Sequence, residues 1–419
     1  MRAFVLHPDI RGSDRRHVPE RALDEAVALA MALPDLEVVG ADVVRLARPH
    51  PGLLFGTGKV DDLKERFQAL EVGLVLVDGP VSPVQQRNLE KAWGLKLLDR
   101  TGLILEIFAD RARTREGVLQ VELAALSYQR TRLVRAWTHL ERQRGGLGFV
   151  GGPGETQIEA DRRAIDEQMV RLRRQLARVV KTRELHRAAR RKVPFPVVAL
   201  VGYTNAGKST LFNRLTGAEV LAKDMLFATL DPTMRGLVLP DGRKVILSDT
   251  VGFISDLPTE LVAAFRATLE EVLEADLILH VRDIAHPETE EQAADVHDIL
   301  DSLGVAEEVA RIEVWNKTDL LPGPEREALL AQAARNPAVE PVSAVTGAGL
   351  DRLAATIAAA LAEARSEAVV DLPFAAGRRR AWLHDQGVVL DETETDGGHR
   401  LTVSWTDGQK ARFARLGDG

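Results

Sequence analysis

Short apolar runs alternate with stretches of helical apolar spacing at the start of the chain. The runs Phe4–Leu6 and Gly73–Val77 are typical of strands. Glu20–Leu33 and Pro83–Trp93 instead repeat apolar side chains every three or four positions, as amphipathic helices do. Because strands that alternate with helices favour a parallel sheet, residues 1–110 are predicted to form a small parallel α/β domain.

The pattern changes between residues 111 and 192. Apolar residues at helical spacing run from Val118 to Leu140 and again from Thr156 to about Arg191. The segment between them, Gly145–Gly154, is too rich in glycine to be helical. We therefore predict an antiparallel helical arm with a glycine-rich tip over residues 111–192.

A linker at Val193–Pro196 follows the arm, because proline cannot continue a helix and disfavours helix in the residue before it. Strand, loop and helix patterns then repeat over residues 193–366, which predicts a doubly wound sheet. Beyond Leu372-Pro373 a short helical pattern and two strand runs predict a small α+β domain over residues 367–419. The predicted fold class is multidomain α/β.

Composition excludes several kinds of chemistry. The 419 residues include no cysteine, so disulfides, thiolate metal sites and cysteine nucleophiles are excluded. The sequence shows neither a signal peptide nor an apolar stretch of membrane-spanning length, and we expect a cytoplasmic protein. The net charge of −7 argues at first against a nucleic-acid partner.

The distribution of charge reverses that first impression. Residues 111–192 hold 20 Lys and Arg against 9 Asp and Glu, a balance of +11, whereas the remainder holds 35 against 53, a balance of −18. Because Lys and Arg contacts to phosphates supply sequence-independent affinity, the arm is predicted to bind RNA. A coiled-coil contact with an acidic protein is the alternative. The candidate RNA contacts near the tip are Arg142, Arg144, Gly145, Gly146, Gly151, Gly152, Arg162 and Arg163.

A phosphate-binding motif follows the buried-strand pattern Val197–Val201. It has the spacing GxxxxGKS and consists of Gly202, Tyr203, Thr204, Asn205, Ala206, Gly207, Lys208 and Ser209, with Thr210 continuing into a helix. The glycines let backbone N–H groups point at phosphate oxygens, and the helix N-terminus adds its positive end. Lys208 would bridge the β- and γ-phosphates, and Ser209 would bind Mg²⁺.

A second motif is predicted to bind the base and to select guanine. Asn316, Lys317 and Asp319 follow the apolar strand Ile312–Trp315. A carboxylate at Asp319 can accept two hydrogen bonds from the N1–H and N2–H₂ edge of guanine, a pair that adenine does not present. Backbone at Ser343-Ala344 would cover the base. Residues 193–366 are therefore predicted to be a GTPase domain that binds GTP and GDP.

Two further segments complete the predicted site. Asp249 ends a strand, where a second Mg²⁺ contact belongs, and the Gly252 N–H could sense the γ-phosphate. In the loop Phe227–Thr233, either Thr229 or Thr233 could supply a hydroxyl to Mg²⁺.

Hydrolysis is expected to be slow in isolation. Phe253 stands where many GTPases place the glutamine that orients the attacking water, so turnover should be slow or depend on another group. The amide of Asn205 could hold a monovalent cation such as K⁺ against the phosphates. A loop asparagine that bonds its own backbone explains the residue equally well.

Several strings outside the nucleotide motifs resemble the HflX family of translational GTPases, within the Obg-HflX-like P-loop class. The resemblance spans nearly the whole chain. The strings that carry it are Asp99–Ala109, Arg111–Gly117, Leu119–Ala124, Gly151–Ile158, Asp161–Arg163 and Phe227–Pro232. Two departures are the segment Ser127–Leu133 in the first arm helix and Met234 after the Phe227–Thr233 loop.

This resemblance implies roles for particular residues. Thr229 becomes the switch I threonine, so Ser209, Thr229 and Asp249 are the expected Mg²⁺ ligands, and Lys208, Thr229 and Gly252 the expected catalytic groups. The hydrophobic residue of the family at the usual glutamine position agrees with Phe253.

The resemblance also implies a function on the ribosome. The arm would reach toward the peptidyl-transferase region of the 50S subunit and contact its rRNA, binding would stimulate hydrolysis, and stalled 70S ribosomes would be split. Two rival hypotheses are a GTP-gated ribosome assembly factor and a signalling GTPase whose arm binds a protein or, peripherally, an anionic membrane. A monomer is expected.

Overall fold

The computed structural model describes the chain with the exception of a set of short segments. These are residues 13–15, 144–152, 191–194, 219–225, 228, 231, 258–268, 306–308, 363–364, 396, 407–409, 411–412 and 415–419. The chain divides into two compact units, Met1–Ile357 and Ala358–Gly419. Within the described residues, no helix combines the length and the apolarity needed to cross a membrane.

The first unit opens with the predicted parallel α/β sheet. Its described strands, in the spatial order β2-β1-β3-β4, are β1 (Arg2–Ile10), β2 (Glu37–Leu46), β3 (Leu74–Val77) and β4 (Lys96–Asp99). The helices between and after them are α1 (Pro19–Met31), α2 (Thr57–Ala69), α3 (Pro83–Trp93) and α4 (Arg100–Arg111). All the strand pairs are parallel, which confirms the prediction.

Local chemistry explains why α3 begins and ends where the sequence predicts. Ser82 and Gln85 form a reciprocal capping box at its start, and Gly94 adopts a left-handed conformation at its end, with φ 72°. The ring of Trp93 packs edge-on against Phe67, with centroids 5.1 Å apart, and Phe67 packs on Phe4 at 5.2 Å. These contacts hold α2 and α3 on one face of the sheet.

The arm is a pair of helices, as predicted. They are α5 (Arg115–Gln143) and α6 (Pro153–Arg190). The expectation that all of Gly145–Gly154 is non-helical was wrong for Pro153 and Gly154, because proline is well tolerated in the first turn of a helix. The rest of the predicted tip lies outside the described residues.

Asp99 fastens the base of the arm to the first sheet. It caps α4 by accepting from the Gly102 N–H at 2.9 Å. It also accepts from the Tyr128 hydroxyl at 2.5 Å and from the Arg132 guanidinium at 2.9 Å, both on α5. Tyr128 and Arg132 belong to Ser127–Leu133, the segment that departs from the family strings, so these side chains join the arm to α4.

The second sheet of this unit is mixed. Its described strands are β5 (Val197–Val201), β6 (Thr233–Val238), β7 (Lys244–Asp249), β8 (Leu277–Asp283), β9 (Ala310–Asn316) and β10 (Val339–Pro341), in the order β10-β9-β8-β5-β7-β6. Only the pairing of β6 with β7 is antiparallel among these described strands. The helical segments are α7 (Lys208–Thr216), α8 (Glu270–Leu273), α9 (Thr289–Leu303), a 3₁₀ turn (Thr318–Leu320), α10 (Gly323–Ala333) and α11 (Leu350–Ala360).

The topology gathers the sequence motifs at one edge of this sheet. Parallel strands carry their carboxyl ends to the same edge, where ligands bind in open α/β sheets. The phosphate motif follows β5, Asp249 ends β7, and Asn316 ends β9. Motifs that are far apart in sequence therefore come together there.

The second unit contains the small antiparallel sheet. Its described elements are β11 (Arg365–Pro373), α12 (Gly377–Asp385), β12 (Val389–Thr395) and β13 (Gly398–Thr406), with the strand order β11-β13-β12. Leu383, Leu401 and Val403 are fully buried in its core. Strand β11 was not predicted from the sequence, because its apolar positions are interrupted by charge at Glu367 and Asp371.

Candidate nucleotide-binding site

The phosphate loop between β5 and α7 requires glycine at two positions. Gly202 has φ 152°, and a Cβ there would lie 2.2 Å from the Val281 carbonyl oxygen. Gly207 has φ 93°, and a Cβ there would lie 2.2 Å from Nδ2 of Asn316. Side chains at either position would clash, so the glycines allow the loop to approach β8 and β9 closely.

Lys208 lies buried at the start of α7 and curls back over the loop. Its Nζ donates to the carbonyl oxygens of Gly202, at 3.1 Å, and Tyr203, at 2.8 Å. Burial lowers the pKa of this ammonium to about 8, although the nearby Asp249 carboxylate favours the charged form. Thr210 lies in the same first turn of α7.

Three oxygen-bearing side chains converge beside the loop. The Ser209 hydroxyl donates to Oδ2 of Asp249 at 2.7 Å, and the Thr229 hydroxyl donates to the same oxygen at 3.1 Å. The two hydroxyls lie 2.9 Å apart. Thr233 instead begins β6, where its main chain pairs with Asp249. The structure therefore brings Thr229, the threonine that the family resemblance selects, to the other expected metal ligands.

This group fits Mg²⁺. Oδ1 of Asp249 is buried and has no hydrogen-bond partner among the described residues, and burial raises the pKa of the carboxyl group. A hard oxygen-binding cation would satisfy that oxygen and favour the ionised carboxylate. Hydroxyl and carboxylate oxygens are also the donors that Mg²⁺ prefers in phosphate sites.

The main chain after Asp249 is held tightly against the phosphate loop. The Thr204 N–H donates to the Phe253 carbonyl at 2.7 Å, and the Phe253 N–H donates to the Gly202 carbonyl at 3.1 Å. At Gly252, a Cβ would lie 2.9 Å from Cα of Thr204 and 3.0 Å from Nζ of Lys208. The Phe253 side chain is buried in the core.

Asn316 joins the phosphate loop to the base-binding segment. Its Nδ2 donates to the Ala206 carbonyl at 2.9 Å, and its Oδ1 accepts from the Ala344 N–H at 3.0 Å. Ser343 is buried, and its hydroxyl accepts from the Thr346 N–H at 3.1 Å. Asn316 therefore holds the phosphate loop and the base-binding segment together, and we call this residue the brace.

The other two members of the guanine motif differ in environment. Lys317 has a left-handed backbone, with φ 64°, and its Nζ pairs with Oδ2 of Asp283 at 2.7 Å. Asp319 lies exposed in the 3₁₀ turn. This carboxylate is accessible to a ligand, as recognition of a base requires.

Two predicted nucleotide-contacting side chains point into protein contacts. The Tyr203 hydroxyl accepts from the Ser255 N–H at 2.6 Å and hydrogen-bonds to Glu25. The Phe227 ring packs edge-on against Phe108, with centroids 4.7 Å apart. Asn205 is exposed, with φ 59°.

The candidate RNA contacts are only partly described. Arg162 and Arg163 are exposed on α6 and pair within that helix, with Asp166 at 3.9 Å and Glu159 at 3.0 Å. Arg142 lies in α5, but its side chain is outside the described part. Arg144, Gly145, Gly146, Gly151 and Gly152 also lie outside the described residues.

Several residues that support the site were not predicted from the sequence. Asp283 holds Lys317, and its position at the end of β8, which parallels that of Asp249 in β7, is a signal that could have identified it. Glu25, Arg100 and Ser255 surround Tyr203 but come from distant parts of the chain. No local pattern in the sequence marks them as neighbours.

The phosphate loop, the oxygen cluster around Asp249 and the brace at Asn316 define a P-loop GTPase. Comparison with known families agrees along the chain. Residues 20–109 match the model "GTP-binding GTPase N-terminal", residues 111–190 "GTP-binding GTPase Middle Region", residues 197–317 "50S ribosome-binding GTPase" and residues 328–419 "HflX C-terminal domain".

Individual relatives lead to the same family. The chain is 50% identical to GTPase HflX of Magnetococcus marinus over 93% of this chain and 89% of that protein. It is 46% identical to GTPase HflX of Escherichia coli K12 over 85% and 83% of the two chains. For GTPase HflX of Caldanaerobacter subterraneus subsp. tengcongensis the identity is 44%, over 94% and 90%. The chain belongs to the HflX family of 50S ribosome-binding GTPases.

Proposed function

We propose that this GTPase uses its arm to bind the rRNA of the 50S subunit and that it splits stalled 70S ribosomes in its GTP-bound state. The observation that carries the proposal is the balance of +11 on residues 111–192 beside −18 on the rest of the chain. Phosphate contacts would attract the arm to RNA, while the acidic remainder would be repelled. Docking would therefore have one favoured orientation, in the cytoplasm, where ribosomes work.

The chemistry of hydrolysis is assigned to the residues around the phosphate loop. Ser209, Thr229 and Asp249 would hold Mg²⁺, which neutralises charge that develops on the phosphates. Lys208 would exchange its carbonyl partners for β- and γ-phosphate oxygens. The phosphate charge would keep its ammonium protonated, despite a pKa of about 8 in the buried site.

Slow turnover in isolation follows from the position of Phe253. Its side chain is buried and apolar, so it offers the attacking water no hydrogen bond. The Gly252 N–H would bind the γ-phosphate and couple its presence to switch II, the segment Asp249–Asp256. We propose that the 50S subunit orders switch II or supplies the polar group that Phe253 lacks, and so accelerates hydrolysis.

Guanine and a monovalent cation are assigned to two exposed side chains. Asp319 would accept from the N1–H and N2–H₂ groups of guanine, with Asn316 keeping the two binding loops in register. The Asn205 amide would hold K⁺ near the phosphates. GTP turnover that is equal in K⁺ and Na⁺ would remove the cation from the proposal.

The decisive experiment measures GTP turnover with and without purified 50S subunits, and 70S conversion on sucrose gradients. The test variant is Arg162→Glu/Arg163→Glu on α6. The matched control, Arg326→Glu/Arg335→Glu, makes the same charge change at exposed positions of the GTPase part.

We expect the arm variant to bind 50S subunits at least about 10-fold more weakly, with unchanged basal turnover, because two phosphate contacts are lost. The control should behave as the unaltered protein does. Equal losses in both variants would remove the arm from the proposal. Stimulated GTP turnover without conversion of 70S ribosomes into subunits would contradict splitting and favour the assembly role.

A further inference from the structure

A buried ionic cluster lies between the first sheet and the phosphate loop. Arg100, the first residue of α4, is only 7% exposed. Its Nη1 donates to Oδ1 of Asp78 at 2.6 Å, and its Nη2 donates to Glu25 on α1. Oδ2 of Asp78 lies 2.6 Å from Nδ1 of His7. A guanidinium at this depth is tolerated only because both carboxylates pair with it.

The cluster holds the chain just after Gly252 by a single residue, Ser255. Its N–H donates to the Tyr203 hydroxyl at 2.6 Å. Its carbonyl oxygen accepts from Nη2 of Arg100 at 2.8 Å, and its hydroxyl donates to Oε1 of Glu25 at 2.9 Å. Every polar group of Ser255 is therefore bound by a side chain from another element.

The same helix contacts the switch I segment around Thr229. Phe108 of α4 packs edge-on against Phe227, two residues before Thr229. Arg100 and Phe108 are eight residues apart, or about 12 Å along the helix. A continuous apolar core supports both contacts. Its members include Leu103, Ile104 and Ile107 of α4 together with Leu230, Val251, Phe253 and Ile254.

We propose that helix α4 positions both switch segments for GTP hydrolysis, with Arg100 as the positioning residue for switch II. The proposal rests on the assignment of Gly252 and Thr229 to the γ-phosphate and Mg²⁺ made above. Asp99, which caps α4, also binds Tyr128 and Arg132 of α5, so the helix that carries Arg100 is the one to which the arm is fastened.

The contacts predict a kinetic signature. Arg100 contacts switch II directly and the phosphate loop only through Glu25, which binds Tyr203, so weakening its contacts should mainly loosen the chain that carries Gly252. The free energy needed to order that chain would then raise the transition state of GTP hydrolysis. GDP lacks a γ-phosphate, so its affinity should stay unchanged. A role confined to domain packing would not lower the rate of GTP hydrolysis selectively while the affinity for GDP stays unchanged.

The test compares Arg100→Lys and Ser255→Ala with Arg16→Lys. Lysine keeps the buried charge but loses the planar fork that reaches Asp78, Glu25 and Ser255 together. Ser255→Ala removes the contacts of the hydroxyl with Glu25 and Arg100 but keeps those of the main chain, and it guards against a folding defect in the first variant. Arg16 joins α9 through Asp295 and Asp298, so Arg16→Lys alters another contact between the same two parts of the chain.

We expect Arg100→Lys to lower kcat about 10-fold, as loss of one charge-assisted hydrogen bond would, with KM and GDP affinity within about 2-fold. Ser255→Ala should show a smaller loss of the same kind. An unchanged kcat in both variants, a parallel loss of GDP affinity, or an equal loss in Arg16→Lys would overturn the proposal. Lys208→Ala tests the phosphate site separately, since full activity in that variant would refute the proposed function and not the role of α4.

Discussion

Gly252 offers the sharpest test of how switch II works. In Gly252→Ala the new Cβ would lie 2.9 Å from Cα of Thr204 and 3.0 Å from Nζ of Lys208, against 3.4–4 Å for ordinary contacts. The distance between Gly252 and Thr204 must therefore increase by roughly 0.5 Å. The hydrogen bond from the Thr204 N–H to the Phe253 carbonyl, 2.7 Å long, resists that movement. Overpacking of this kind costs about 1–3 kcal/mol.

This cost should appear in hydrolysis more than in GDP binding. If it falls on the state in which Gly252 meets the γ-phosphate, GTP turnover should drop about 10- to 100-fold. Single-turnover hydrolysis and fluorescence titration with GDP measure the two quantities. Gly236→Ala is the matched control, because a Cβ there would have no atom of the described residues within 4 Å. Near-normal turnover in Gly252→Ala, or an equal loss of GDP affinity, would refute the reasoning.

Three further predictions concern Asn316, the guanine-binding residue Asp319, and the contacts of His17 with α9. Asn316→Ala leaves the Ala206 carbonyl and the Ala344 N–H without their partner, so GDP affinity should fall by about 1–3 kcal/mol in calorimetry. Asp319→Asn should lower GTP affinity about 10-fold or more and improve binding of xanthosine triphosphate, since an amide offers the base one donor and one acceptor. A competition titration in which GTP still wins would contradict this. The hydrogen bond that His17 donates to Asp295, opposed by burial and aided by Glu288, raises the pKa of His17 to about 9 from 6.5. Stabilisation by His17 should thus be complete below pH 6.5 and lost as pH rises through about 9. Urea unfolding at the two extremes should differ by about 1–2 kcal/mol more than in His17→Gln, after allowance for solvent screening.

Apolar periodicity was enough to predict the parallel part of the fold. In Glu20–Leu33 and Pro83–Trp93 the side chains that face the sheet recur at helical spacing, and the helices begin and end within two residues of the predicted positions. It failed at β11, where a strand with one buried face carries charge on the other. The expectation for Pro153 failed for another reason: it rested on the glycine content of Gly145–Gly154, and proline, which breaks helices in their interior, can begin one.

The nucleotide motifs were visible because each is local. The phosphate loop requires its glycines, lysine and serine in consecutive order, and Asn316 must follow a strand directly. The choice between Thr229 and Thr233 could not be made from spacing, since it depends on where the chain turns into β6. The cluster at Arg100 was invisible for a related reason: Glu25, Asp78 and Ser255 become neighbours only after the two sheets have packed.

The long helices of the arm give the Asp99 junction a mechanical consequence. The 38 residues of α6 extend about 57 Å, while Arg100 is adjacent to the point where α5 is fastened. The pivot lies within α5, because Asp99 binds Tyr128 and Arg132, and the tip end of that helix, Gln143, is 11 residues or about 17 Å beyond Arg132. A rotation of about 5° at that pivot would move the tip end of α5 by about 1.5 Å, and atoms beside the pivot by less than about 1 Å. The arm would thus pass a displacement at its tip to the neighbourhood of Arg100 as an adjustment on the scale of a hydrogen bond.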